Sequence, residues 1–159
     1  MNSRRRKFFS WCLIAAVIAV TDQVTKAVVE GWIERGDVIP VTGFFNLLIA
    51  YNSGAAFSFL AGAGGWQRWF FIVIAVVAAG VMSWLLYRHR DERLFCTGLS
   101  LILGGAIGNL WDRIVLGHVV DFLDFHLGGW HWPAFNVADS GITVGAALLI
   151  LDGMRRKSP

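Results

Sequence analysis

The chain has 159 residues, of which 56% are apolar and only 16% charged, with a net charge of +3 and eight tryptophans. A soluble domain carries about one quarter charged residues, so this balance speaks against an ordinary water-soluble globule and for a membrane protein. The length allows one compact unit over residues 1–159 and little more.

The first element begins as a secretory signal would, with Arg4, Arg5, Arg6 and Lys7 ahead of an apolar run from Trp11 to Val20. No small-x-small cleavage site follows, and apolar residues continue through Ala27, Val28 and Val29, broken by Asp22, Gln23 and Lys26. We therefore expect an uncleaved first spanning helix over residues 8–29, close to the roughly 20 residues that a bilayer requires. Residues 31–67 mix apolar and polar side chains, with Val38, Ile39, Val41, Phe44, Phe45, Leu47 and Ile49, and predict short strands resting on the membrane surface. A second span is expected over 69–87 and a third over 94–116, the latter with Gly104, Gly105 and Gly108 permitting close helix packing. Residues 117–136 contain Trp130, His131 and Trp132, an aromatic patch suited to the membrane interface. The fourth span, 137–151, is short and opens beside Asn136 and Asp139, either of which suits a helix N-cap.

Direction follows from the basic residues. They cluster at Arg4–Lys7, at Arg88, Arg90 and Arg93, and at Arg155, Arg156 and Lys157. With four spans, all three clusters fall on one side, which the positive-inside rule makes the cytoplasm. Segments 31–67 and 117–136 then face outward. Each cluster ends an apolar run, so membrane orientation explains them and no nucleic-acid partner is implied. The two cysteines, Cys12 and Cys96, lie in or beside apolar runs on the cytoplasmic half. They are read as small apolar side chains, not as a disulfide framework or a thiolate metal site.

Charges inside spans are costly, and each marks a candidate site. Asp22 and Lys26 share a face of helix 1 at i, i+4, as a structural ion pair or as part of a site. Asn109, Asp112 and Arg113 share a face of helix 3, as a site or as the groups that orient the helix end. Asp121 and Asp124 follow, and Asn136 and Asp139 open helix 4. The polar groups of three helices thus gather at one depth, near the outer surface.

Serine chemistry lacks a basic partner for Ser53 or Ser140, and both thiols lie toward the wrong face. His118, Asp121, Asp124, His126 and His131 stay open as metal ligands, although no HExxH helix is present. Paired carboxylates fit better. The loop between helices 3 and 4 can bring Asp121 to Asp139, where two neighbouring carboxylates share one proton. One then takes a proton from water and the other gives one to a peptide carbonyl, with no metal or organic cofactor. An ion-conducting path and a non-enzymatic scaffold remain rivals at this point. An aspartyl protease of the GxGD kind does not fit, because the only Gly-Asp pair, Gly36-Asp37, follows Glu34 where that motif has Gly.

Five stretches carry a resemblance: Thr21-Asp22-Gln23-Val24-Thr25-Lys26; Tyr51-Asn52-Ser53-Gly54-Ala55-Ala56-Phe57; Gly104-Gly105-Ala106-Ile107-Gly108-Asn109-Leu110-Trp111-Asp112-Arg113; Val119-Val120-Asp121-Phe122; and Phe135-Asn136-Val137-Ala138-Asp139. In order and spacing they resemble the motifs of the lipoprotein signal peptidases, the signal peptidase II family, with no departure at the motif positions. The resemblance implies an all-α membrane protein of four spanning helices with a small periplasmic β-like cradle between helices 1 and 2. It implies a bacterial inner-membrane aspartyl endopeptidase with both termini cytoplasmic and the site toward the periplasm. It acts on prolipoproteins whose lipobox cysteine carries a diacylglyceryl group, cutting on the amino side of that cysteine. Asp121 and Asp139 match the catalytic dyad. Asn52, Gly54, Asn109, Arg113, Asn136 and Ala138 match positions that line or support the site, and Asp22 and Lys26 match a supporting first motif. The expected partners are lipidated signal peptides and membrane lipids. The expected working unit is a monomer.

Overall fold

The computed structural model describes residues 3–54 and 64–157. In chain order the elements are α1 (Ser3–Trp32), β1 (Val38–Thr42), β2 (Phe45–Asn52), α2 (Trp66–Arg88), α3 (Arg93–Val115), β3 (Val119–Leu127), β4 (Trp130–His131) and α4 (Val137–Lys157). All four helices are long and apolar enough to cross a membrane. Residues 55–57 of the second motif lie outside the described residues.

The helices are longer than their apolar runs. α1 takes in the basic residues before Phe8, and at 30 residues extends about 45 Å. α4 continues six residues past position 151, the expected end, because Arg, Lys and Met are good helix formers and Arg156 Nε bonds Asp152 Oδ2 one turn back at 2.7 Å. Apolarity marks where lipid lies, and backbone hydrogen bonding does not stop there.

α3 is the centre of the bundle, packing against α1, α2 and α4. Half of its spanning window is buried, against 11% for α2, whose Val73, Val76, Val77 and Val81 face outward as lipid contact requires. Glycine makes this crowding possible. A Cβ on Gly105 would run into the Ala138 carbonyl of α4, and one on Gly108 would lie 2.6 Å from Asp22 Oδ2 of α1. Ala15, Met82, Leu86, Cys96, Leu99 and Leu103 form the buried core of the bundle. Cys96 is buried, with its Sγ on the His89 carbonyl at 3.1 Å, and Cys12 is partly buried.

At the far end of the bundle, Lys7 Nζ meets Asp91 at 2.6 Å, Arg156 pairs with Glu92, and Trp11 Nε1 donates to the Arg90 carbonyl at 2.9 Å. The three basic clusters therefore lie together at one end. The sheet closes the other.

That sheet includes the strands expected between helices 1 and 2, as β1 and β2, and extends beyond them. It has four antiparallel strands in the order β1-β2-β3-β4, and half of them come from the connection between α3 and α4. Asp121 and Asp124 interrupt the apolar alternation of β3 and conceal it in the sequence. β2 carries a bulge between Leu47 and Ala50 where it pairs with β3. β3 and β4 are joined by Gly128 and Gly129, both with positive φ (57° and 83°), as a two-residue type I′ hairpin turn needs. Beneath the sheet, Phe122 packs on Val29 and Ile33 at the end of α1.

Candidate functional site

The site is assembled around the first turn of α4. Helix N-termini leave backbone N–H groups without partners, and two different residues satisfy them here. Asn136 Oδ1 accepts the Asp139 N–H at 2.9 Å, the N-cap geometry. Asp22 Oδ1, reaching across from α1, accepts the Ala138 N–H at 2.9 Å. Of the two capping candidates, Asn136 is the cap. Asp139 keeps its carboxylate for the interior of the bundle.

Below this turn lies a buried charge network. Lys26 Nζ, 3% exposed, donates to Asp22 Oδ2 at 2.7 Å, to Asp112 Oδ2 at 2.7 Å and to Asn109 Oδ1 at 3.1 Å. Gln23 Nε2 donates to Asp112 Oδ1 at 2.7 Å, and the Val120 N–H reaches Asp112 Oδ2 at 3.3 Å. The Asp22–Lys26 pair expected from spacing is real but incomplete, because the lysine serves a second carboxylate on α3. A buried charge without a partner costs several kcal/mol, so the three charges stand together. The network also orients the asparagines. With its Oδ1 on Lys26, Asn109 turns its Nδ2 to Asp139 Oδ1 at 2.8 Å. With its Oδ1 on the helix N–H, Asn136 turns its Nδ2 to Asp121 Oδ1 at 2.7 Å.

Asp121 and Asp139 both line one cavity of ≈ 510 Å³, with Asn52, Asn109, Arg113, Val119, Ser140 and the run Trp132-Pro133-Ala134-Phe135 also in its wall. Asp121 sits on β3, 3% exposed, and its Oδ2 accepts Asn52 Nδ2 at 3.2 Å. Burial, and then the neighbouring Asp139 carboxylate, push the Asp121 carboxyl up to about 7 against the pull of Asn52, Lys26 and Asn136. Asn52 Oδ1 accepts the Gly54 N–H at 2.9 Å, and the Gly54 carbonyl accepts Arg113 Nη2 at 2.8 Å. Arg113 also donates from Nη1 to the Asn109 carbonyl at 3.2 Å and lies 5.1 Å from the Phe71 ring centroid. Its buried Nε has no hydrogen-bond partner among the described residues.

All ten residues named from the sequence therefore meet at this end of the bundle: Asn52, Asn109, Arg113, Asp121 and Asp139 line the cavity, Lys26, Gly54 and Asn136 lie one hydrogen bond from it, and Asp22 and Ala138 join through Lys26 and the adjacent Asp139. Sequence reasoning left Gln23, Asp112 and the wall 132–135 outside the site. Asp112 had shown itself as a charge in a span, three residues from Asn109. Of the wall, Trp132 had shown itself as an interfacial aromatic and Phe135 as part of the last motif, while nothing local marked Pro133 and Ala134. The Asn109 side-chain amide bonds Asp139 and Lys26 within the protein.

The metal candidates do not converge on one point. β3 places Asp121 and Asp124 three residues apart, hence on opposite sides of the strand. Asp124 pairs with His131 at 2.8 Å, and His118 packs on Tyr51. Among the described residues no three His, Cys, Asp or Glu side chains come together to hold a metal. Ser140 Oγ donates to the Asn136 carbonyl at 2.9 Å.

Four helices of membrane-spanning length and apolarity, with charged side chains buried at one end, define a polytopic membrane protein. The family model of signal peptidase (SPase) II matches residues 14–155, and the chain belongs to that family, whose role is to remove signal peptides from prolipoproteins. It is 60% identical over 146 residues to the lipoprotein signal peptidase of Cupriavidus necator, covering 92% of this chain and 83% of that one. It is likewise 60% identical to that of Ralstonia nicotianae, covering 92% and 84%. To that of Janthinobacterium it is 53% identical over 162 residues, covering 98% of each chain. A solved bacterial membrane enzyme at 2.3 Å resolution superposes with a TM-score of 0.85 at 32% identity, covering 94% of this chain and 90% of that one. A second, at 1.9 Å, gives 0.78 at 32% identity, covering 90% and 91%.

Proposed function

We propose that this chain is an aspartic-type endopeptidase that releases the signal peptide from diacylglyceryl-modified prolipoproteins by cutting before the lipidated cysteine. The observation that carries this reading is the pair Asp121 and Asp139, lining one cavity and each held by an asparagine amide of fixed orientation. Like carboxylates in one site do not both ionise cheaply, so the pair keeps one proton. The ionised member draws a proton from water as the water attacks the peptide carbon. The protonated member gives its proton to the carbonyl oxygen. Collapse of the tetrahedral intermediate returns a proton to the leaving amine. Arg113, which lines the cavity and has a buried Nε–H without a partner among the described residues, is suited to the developing charge on the oxygen.

The basic clusters at the far end support one orientation: termini in the cytoplasm, cavity at the periplasmic face of the bacterial inner membrane. A signal peptide enters as an apolar helix, with its scissile bond at the depth of the helix ends and its lipid tails in the bilayer. The buried charged residues Asp22, Lys26, Asp112, Asp121 and Asp124 all belong to this end, which supports a catalytic site over a conducting path. The chain works as a monomer and needs no cofactor. The test is mass spectrometry of products from a purified prolipoprotein, with and without its diacylglyceryl group, incubated with the purified chain. The expected result is a single cut before the cysteine of the lipidated form only. Equal cutting of both forms would remove the lipid from the account.

A further inference from the structure

Asp124 is 3% exposed yet takes no part in the cavity. On its side of β3 its carboxylate accepts Asn46 Nδ2 of β2 at 2.8 Å and pairs with His131 Nδ1 of β4 at 2.8 Å. It thereby joins three successive strands through side chains. Burial raises its carboxyl, but the hydrogen bonds from His131 and Asn46 outweigh burial and hold it below the usual carboxylate range. The other titratable group at this place is His126, whose ring stacks on His131 with centroids 5.1 Å apart.

Through the chain this cluster is tied directly to the cavity. His131 is the last residue of the two-residue strand β4, and the next four residues, 132–135, are wall of the cavity that holds Asp121 and Asp139. Backbone bonds pin that wall at its two ends. The Trp132 N–H donates to the Phe125 carbonyl at 2.8 Å, and Phe135 exchanges bonds with Leu123 at 2.8 and 3.1 Å. Between them Pro133 has no N–H to give. A two-residue edge strand is a weak support, and the His131–Asp124 contact anchors it to a buried charge.

We propose that the Asn46–Asp124–His131 cluster positions the cavity wall at residues 132–135 and so sets how tightly substrate is held, without acting on the bond being cut. This rests on the cavity being the peptidase site. His131 is half exposed, so its replacement leaves the core intact. The experiment compares wild type, His131→Ala and His131→Asn on a lipidated prolipoprotein. A wall displaced at a cost on the scale of one ordinary hydrogen bond predicts KM about five- to tenfold higher in His131→Ala, with kcat within about twofold of wild type. Asparagine can donate from near the position of Nδ1, so His131→Asn restores most of the wild-type KM. An unchanged KM in His131→Ala, a fall in kcat at unchanged KM, or an asparagine variant no better than alanine would overturn the proposal. A wild type that does not cleave overturns the function itself, and this inference with it.

Discussion

Asp121 is bonded on both carboxylate oxygens by amide N–H groups and still holds its proton up to about 7, because burial and Asp139 outweigh those bonds. The consequence for stability has a definite sign. The folded chain keeps a proton that the unfolded chain releases above its ordinary value of 3.8, so this contribution is full below that value and is lost as pH rises to about 7. Asp121→Asn has no such loss. Its melting temperature relative to wild type is expected to climb between about pH 4 and pH 7 and then level off. A difference that stays constant across that range would mean Asp121 ionises normally. At this scale the sequence was informative wherever two partners share a helix. Asp22 and Lys26 are one turn apart, and so are Asn109 and Arg113. It was silent where partners come from different helices. Lys26 reaches Asp112 across the bundle, and Gln23 does the same, and no spacing rule for one helix records either contact.

Among the elements, α3 fixes the site because it lies against both α1 and α4. Gly105 admits the Ala138 backbone, and the next residue along α4 is Asp139. Gly105→Ala would press a methyl group on that carbonyl and move the first turn of α4 away from Asn109. Overpacking of this kind costs about 1–3 kcal/mol, so a lower melting temperature is expected together with slower cleavage. Wild-type behaviour in both would show that the helices have room to spare. The glycines of α3 were legible as packing residues, and the four spans as apolar runs. The strand β3 was not, because its two aspartates face opposite ways and break the alternation on both sides at once. The length of α4 was missed for a different reason: Arg155, Arg156 and Lys157 end the apolar run yet are good helix formers.

For the whole molecule, basic residues gather at one end and buried charge at the other, and this polarity defines the orientation proposed above. Leu127 beside the β3–β4 turn and Met154 near the end of α4 are both exposed. With Leu127→Cys and Met154→Cys made in a chain lacking Cys12 and Cys96, a membrane-impermeant thiol reagent on intact spheroplasts is expected to label only the first. Labelling of position 154 without lysis would invert the topology.

The paired aspartates are tested by single-turnover cleavage of a lipidated prolipoprotein by purified wild type, Asp121→Asn and Asp139→Asn. Each variant is expected to insert and fold as wild type does and to cleave at least about a thousandfold more slowly, because each removes one half of a proton exchange. Cleavage at near the wild-type rate by either folded variant would contradict it.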